Sequence, residues 1–211
     1  MAFPTTGLLD DFNRANENPI AGNWSGPLYV TENQLQISSN QLIAVSPAGN
    51  SYWSATTYGP DCEAWMTITT LPADLNTLSV FARMQGPNTA GMDGYRVKYQ
   101  FKSGITDLIF IDVITDRIAS TIGGSINQDF VAGDGIGIQI IGSEIGAWRR
   151  SGGVWTLVGS RTNSTYPSAG TIAVELGDAT CAVDDFGGGT YSPAGPGDDP
   201  PIGFLGRGAG W

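Results

Sequence analysis

The chain has 211 residues, no histidine, only two cysteines and little positive charge, and each shortage removes a class of function. Without His there is no Ser-His-Asp or Cys-His nucleophile pair, no His-built zinc or copper site and no imidazole pH switch. Cys62 and Cys181 lie in distant parts of the chain with no CxxC spacing. They read as two buried free thiols, the alternative being one bridge closing a long loop. Against 20 Asp and Glu stand 10 Lys and Arg, a net charge of −10, and the basic residues are scattered. Counterion-release binding to nucleic acid needs clustered cations, so no nucleic-acid partner is expected. No stretch approaches the ~18 uninterrupted apolar residues of a membrane span, and membrane insertion is not expected. The opening MAFPTTGLLDDFNR has no basic residue before Arg14 and no apolar segment of signal-peptide length, which predicts no signal peptide. Two N-x-S/T sequences, at Asn23 and Asn163, read as chance matches.

What the chain does contain is punctuation. There are 30 Gly and 12 Pro, well above the usual combined share of about 12%, and they fall between short β-branched and aromatic runs. Leu78 to Met84 and Tyr95 to Phe101 alternate apolar and polar residues, as half-buried strands require. Leu108 to Ile114 is apolar nearly throughout and reads as a strand covered on both faces. Ile136, Ile138 and Ile140 alternate with Gly135, Gly137 and Gln139, and Gly142-Ser143 reads as the turn into Ile145 to Trp148. Ser151-Gly152-Gly153 between two Trp-bearing runs gives a second hairpin. About fourteen or fifteen such strands between Leu8 and Phe186 predict an all-β sandwich or barrel, and helical periodicity is nowhere sustained.

No linker divides the chain before residue 187, so one domain is expected over residues 1–189, followed by an extended Gly/Pro-rich C-terminal arm over 190–211. The arm carries four large apolar residues, Ile202, Phe204, Leu205 and Trp211, which read as anchors for docking on a neighbouring subunit.

A short phrase occurs twice, Leu9-Asp10-Asp11-Phe12 and Val183-Asp184-Asp185-Phe186. Together with DDFNRANENPIAGNW (10–24), SYWSATTYGPDCEAWMTI (51–68), GYRVKYQF (94–101), GDGIGIQIIGSEIGAWRRSGGVWTLVGS (133–160) and AGTIAVELGDATCAVDDFGGG (169–189), it resembles the concanavalin A-like lectin/glucanase superfamily, the laminin G-like jelly rolls, in the form found in bacteriophage structural proteins. The resemblance implies an antiparallel jelly-roll β-sandwich of two large sheets, and it places the opening and closing strands side by side.

The superfamily holds enzymes and binding proteins alike, so residues must choose between them. Its glucanases carry a Glu-x-Asp-x-x-Glu strand whose alternating carboxylates face the glycosidic bond. None of the five Glu here, Glu17, Glu32, Glu63, Glu144 and Glu175, begins that motif, and no enzyme activity is expected. Several members hold a structural Ca²⁺ near the joined chain ends through an Asp of the last strand. Asp184 matches that Asp and Asp10 is its candidate partner, although no cofactor is required. Sugar rings stack on flat aromatic faces and hydrogen-bond to Arg, which makes Tyr52, Trp53, Trp148, Arg149 and Trp155 the candidate carbohydrate-binding residues. The resulting expectation is a non-catalytic virion structural protein, a capsid decoration or tail-associated protein assembled in the host cytoplasm. It would sit on the particle surface among neighbouring virion subunits or copies of itself and display a lectin-like sandwich to host-surface polysaccharide. The alternatives are a soluble carbohydrate-binding module and, third, a diverged glycoside hydrolase of the glucanase type.

Overall fold

A computed structural model describes residues 3–29, 32–45 and 47–193, and these form an antiparallel sandwich of two eight-stranded sheets with no helix among the described residues. In spatial order the first sheet runs β14 (Val154–Thr162), β13 (Glu144–Ser151), β12 (Gly135–Ile141), β6 (Cys62–Thr70), β16 (Ala182–Thr190), β4 (Gln41–Ala44) and β3 (Leu35–Ser38), with β1 (Leu8–Asp10) added on β16. The second runs β10 (Ile118–Thr121), β9 (Leu108–Thr115), β8 (Asp93–Gln100), β7 (Thr77–Gln85), β15 (Thr171–Leu176), β5 (Gly49–Trp53) and β2 (Trp24–Ser25), with β11 (Ile126–Asn127) on β9. The repeated phrases do meet: Leu8 lies opposite Gly187 and Asp10 opposite Phe186.

Period-two alternation builds the core. Ile136, Ile138 and Ile140 of β12 and Ala64, Met66 and Ile68 of β6 point inward against Leu78, Val80 and Ala82 of β7 and Tyr95, Val97 and Tyr99 of β8. Each fully buried large apolar side chain contributes about 1.5–3 kcal/mol against the chain entropy lost on ordering. Both hairpins form where the turn residues demand. Gly142 (φ +58°) opens a two-residue turn between Ile141 and Glu144. Gly152 (φ +57°) and Gly153 (φ +84°) form the other between Ser151 and Val154.

Two strand expectations are corrected. β7 is buried on both faces, because Leu28, Met92 and the half-buried Tyr29 and Tyr52 cover its outward Phe81 and Met84. β9 is less covered than expected: Leu108, Phe110 and Val113 stay half-buried, and the Lys98 ammonium sits 4.4 Å from the Phe110 ring centre.

A bulge in β7 places Arg83 at φ +53° and turns its side chain inward, where it is 1% exposed. The guanidinium donates to the carbonyls of Pro60, Gly142 (2.8 Å) and Tyr166 (3.4 Å) and lies 3.4 Å from the Asp61 carboxylate. One side chain thereby ties three loops together.

Cys62 and Cys181 are both free and buried. Cys62 pairs with Thr190, whereas Ala182, next to Cys181, pairs with Thr70. The thiols therefore stand at opposite ends of a nine-residue strand pair, roughly 25 Å apart at about 3.3 Å per residue, far beyond bridging range. Burial pushes the Cys62 thiol up to about 12 and the Cys181 thiol upward as well.

The last strand continues to Thr190, one position past the expected domain boundary at 189. The anchors Ile202, Phe204, Leu205 and Trp211 lie outside the described residues. Among the described residues no helix is long and apolar enough to cross a membrane.

Candidate functional site: an aromatic face on the first sheet

The outward face of the first sheet is laid out in rows by strand register. One row reads Gly187, Trp65, Gly137, Trp148 and Leu157 across β16, β6, β12, β13 and β14. Glycine at the outward positions leaves room for rings to lie on the backbone. A Cβ at Gly187 would come within 2.1 Å of Trp65, and one at Gly137 within 2.4 Å of Phe3. The Gly-Ile-Gly-Ile run of β12 thus presents methyl-rich side chains to the core and a flat bed to the outside.

On that bed an N-terminal strap crosses the sheet. Phe3 stacks on Trp148 with ring centres 4.8 Å apart and planes 11° apart, and it meets the Trp155 ring edge-on at the same distance. The strap is fastened at Glu63, which is fully buried: Oε2 accepts from the Thr5 amide (2.8 Å) and from the Thr5 and Thr6 hydroxyls (3.2 Å each). Oε1 accepts from Gln139 Nε2 (2.7 Å).

Beside this cluster opens a pocket of about 260 Å³ lined by Gln139, Ile141, Glu144, Gly146, Trp148 and Leu157. Gly146 is its floor: a Cβ there would lie 3.0 Å from both Trp148 Nε1 and Leu157 Cδ1. Trp148 is 7% exposed, and its indole N–H has no hydrogen-bond partner among the described residues. The Glu144 carboxylate at the rim is exposed.

The structure divides the sequence-derived sugar-contact residues between two sheets. Trp148 and Trp155 come together here. Arg149 points to the other face, where Nε and Nη2 donate to the buried Asp134 carboxylate at 2.9 and 2.6 Å. Arg150 shares the outward face instead, donating to Thr67 Oγ1 (2.7 Å) with its guanidinium 5.7 Å from the Trp155 ring centre. Tyr52 packs on the outside of the second sheet. Trp53 is a core residue, set edge-on to Trp24 at 5.4 Å and 5% exposed. Phe3, Gln139, Gly146 and Leu157 were not singled out by sequence. The available signal was the run of outward glycines, which implies that rings lie on the sheet.

Asp10 and Asp184 share the joined-ends region without forming a calcium cage. Asp10 accepts from the Phe12 amide (2.9 Å), Arg14 Nη1 (2.6 Å) and Trp24 Nε1 (2.8 Å), so both oxygens are engaged and its charge is matched by Arg14. Asp184 accepts the Asp185 amide at 2.9 Å. Burial, followed by the Asp185, Asp11 and Asp10 charges, holds its carboxyl above the usual carboxylate range. Among the described residues no three His, Cys, Asp or Glu side chains converge as metal ligands. As arranged, Asp10 does not fit a Ca²⁺ ligand, because Arg14 and Trp24 already occupy the oxygens a cation would need.

No protein-family model matches the sequence, and no curated protein matches it. Solved structures do match in fold. A carbohydrate-binding module, CBM66 from Bacillus subtilis, shares 14% identity at a TM-score of 0.59, over 80% of this chain and 96% of that one. The exoplasmic/lumenal domain of VIP36 in its Ca²⁺/Man2-bound form shares 9% identity at a TM-score of 0.64, over 92% of this chain and 91% of that one. The GH43 protein BlXynB from Bacillus licheniformis shares 11% identity at a TM-score of 0.57, and the match spans 86% of this chain but 39% of that one. The fold is the lectin-like jelly roll, shared by a carbohydrate-binding module, a legume lectin-like domain and part of a GH43 protein.

Proposed function

We propose that this chain is a carbohydrate-binding domain whose sugar site is the pocket between β12, β13 and β14. The observation that carries the reading is the concave, mostly apolar site on an aromatic bed, with one unsatisfied donor and polar groups at its edge. At about 260 Å³ it suits one sugar ring or substituent rather than a long chain. Fold neighbours that include a carbohydrate-binding module and a Man2-bound domain support the class of ligand.

In this reading the domain binds without catalysis. Four of the five Glu are held in fixed pairs: Glu17 by Arg14, Glu32 by Asn50, Glu63 by Gln139 and the strap, and Glu175 by Arg96 and Ser79. Retaining hydrolysis needs two carboxyl groups about 5–5.5 Å apart across the scissile bond, and these pairings leave Glu144 alone at the pocket. Carriage on a phage-like particle is the finer part of the proposal. It draws on the sequence resemblance and on the four apolar anchors of the C-terminal arm.

A glycan array probed with the full-length protein tests binding, with Leu157→Arg as the control. Leu157 is 44% exposed on an edge strand, so the substitution should keep the fold and abolish the signal. Silence across the array at high protein concentration overturns the reading. Hydrodynamic size of the full chain beside one ending at Tyr191, which leaves the last strand whole, tests the arm, which predicts assembly of the longer chain alone.

A further inference from the structure

Resting on that reading, the pocket also says what kind of sugar it takes. A buried N–H without an acceptor costs about 1–3 kcal/mol, and of the two indoles here that have none, Trp65 and Trp148, only Trp148 lines the pocket, where a ligand oxygen can supply it. It stands over the Gly146 floor, 3.0 Å from the point a Cβ would occupy. Leu157 Cδ1 is equally near that point, so rotation of this exposed edge-strand side chain uncovers the N–H. Around the donor the walls are Ile141, Leu157 and the indole ring, which favour an apolar group beside the accepting oxygen. The rim residue Glu144 supplies an outward-facing acceptor with no partner among the described residues.

An oxygen acceptor next to a methyl, with an N–H on the far side, is an acetamido group. We infer that the pocket is a subsite for the acetyl substituent of a sugar. The carbonyl accepts from Trp148 Nε1, the methyl lies against Ile141 and Leu157, and the amide N–H donates to Glu144. A hydroxyl in the same place would strand its own donor against the apolar wall, so the subsite discriminates against the unsubstituted sugar.

The test is calorimetric titration of the full chain with tri-N-acetylchitotriose and with cellotriose, which carries hydroxyls in place of the acetamido groups. The acetylated trimer should bind at least about tenfold tighter. Trp148→Phe keeps an aromatic ring and removes the N–H, and it should erase that ratio. Glu144→Gln keeps an acceptor oxygen and should retain most of it. An O-acetylated xylo-oligosaccharide and its de-esterified form make a second arm. Discrimination there, abolished by Trp148→Phe and unmoved by Glu144→Ala, assigns the acetyl group to an ester rather than an amide. Equal affinities within both pairs, or a preference that survives Trp148→Phe, overturn the acetyl subsite while leaving sugar binding intact. Absence of binding to any glycan overturns the carbohydrate reading itself.

Discussion

Phe3 lies flat against Trp148, ring centres 4.8 Å apart, so a residue near one end of the described chain backs the indole that lines a pocket built by strands more than a hundred positions away. The strap and the pocket share that indole. Loosening one changes the other.

Gly137 is where the strap meets the sheet. Gly137→Ala puts a methyl 2.4 Å from the Phe3 ring, and overpacking of this kind costs about 1–3 kcal/mol. In a Phe3→Ala background the same substitution should cost clearly less, a coupling that urea denaturation of the four proteins in the cycle would reveal. Equal costs in both backgrounds would show that the ring does not rest there.

Arg83 should be intolerant of any replacement. Arg83→Met strands the Pro60, Gly142 and Tyr166 carbonyls and should lose roughly 3–5 kcal/mol. Arg83→Lys carries the charge but cannot fork to three loops, and it should recover only part of the loss. Chemical denaturation with full recovery in the Lys variant would contradict the clamp.

Asp184 predicts an unusual pH dependence. Its folded-state carboxyl lies above the ordinary value, so its contribution to stability is fully present below the unfolded-state pKa and is lost as pH rises through the folded-state one. Asp184→Asn keeps the oxygen that accepts from Asp185 and removes the charge. Thermal unfolding at pH 7 should therefore show a Tm raised by a few degrees, with the gain vanishing near pH 3. A loss of stability at pH 7 would mean that the carboxylate has a favourable partner.

The thiols should be silent in the native state. Burial keeps both neutral at physiological pH, and the thiolate is the reactive form. A disulfide-exchange reagent should titrate almost nothing in native protein and two thiols per chain in denaturant. Reducing agent should leave the Tm unchanged.

Much of this architecture was legible in short-range pattern. The Ile-Gly alternation of β12 and the turns at Gly142-Ser143 and Gly152-Gly153 are local rules, and they hold residue for residue. What escaped depends on partners distant in sequence. β7 alternates like a half-buried strand, but Leu28 and Tyr29, some fifty positions earlier, cover its outer face. Trp53 and Trp148 look equally available as a sequence, because nothing local says which sheet a strand joins or which side of it meets the other sheet. Phe3 carries no pattern of its own, and only the glycines it lies on betray it.

Because β1 pairs with β16, Leu8 and Gly187 are neighbours across a ladder. A short peptide could therefore join the two ends of the sandwich, and the chain could be reopened at the exposed Gly152-Gly153 turn without unpairing a central strand. Such a circular permutant would carry its new ends beside the aromatic face. The same geometry makes the sandwich a cassette that can be set into a surface loop of another protein without prising that loop apart.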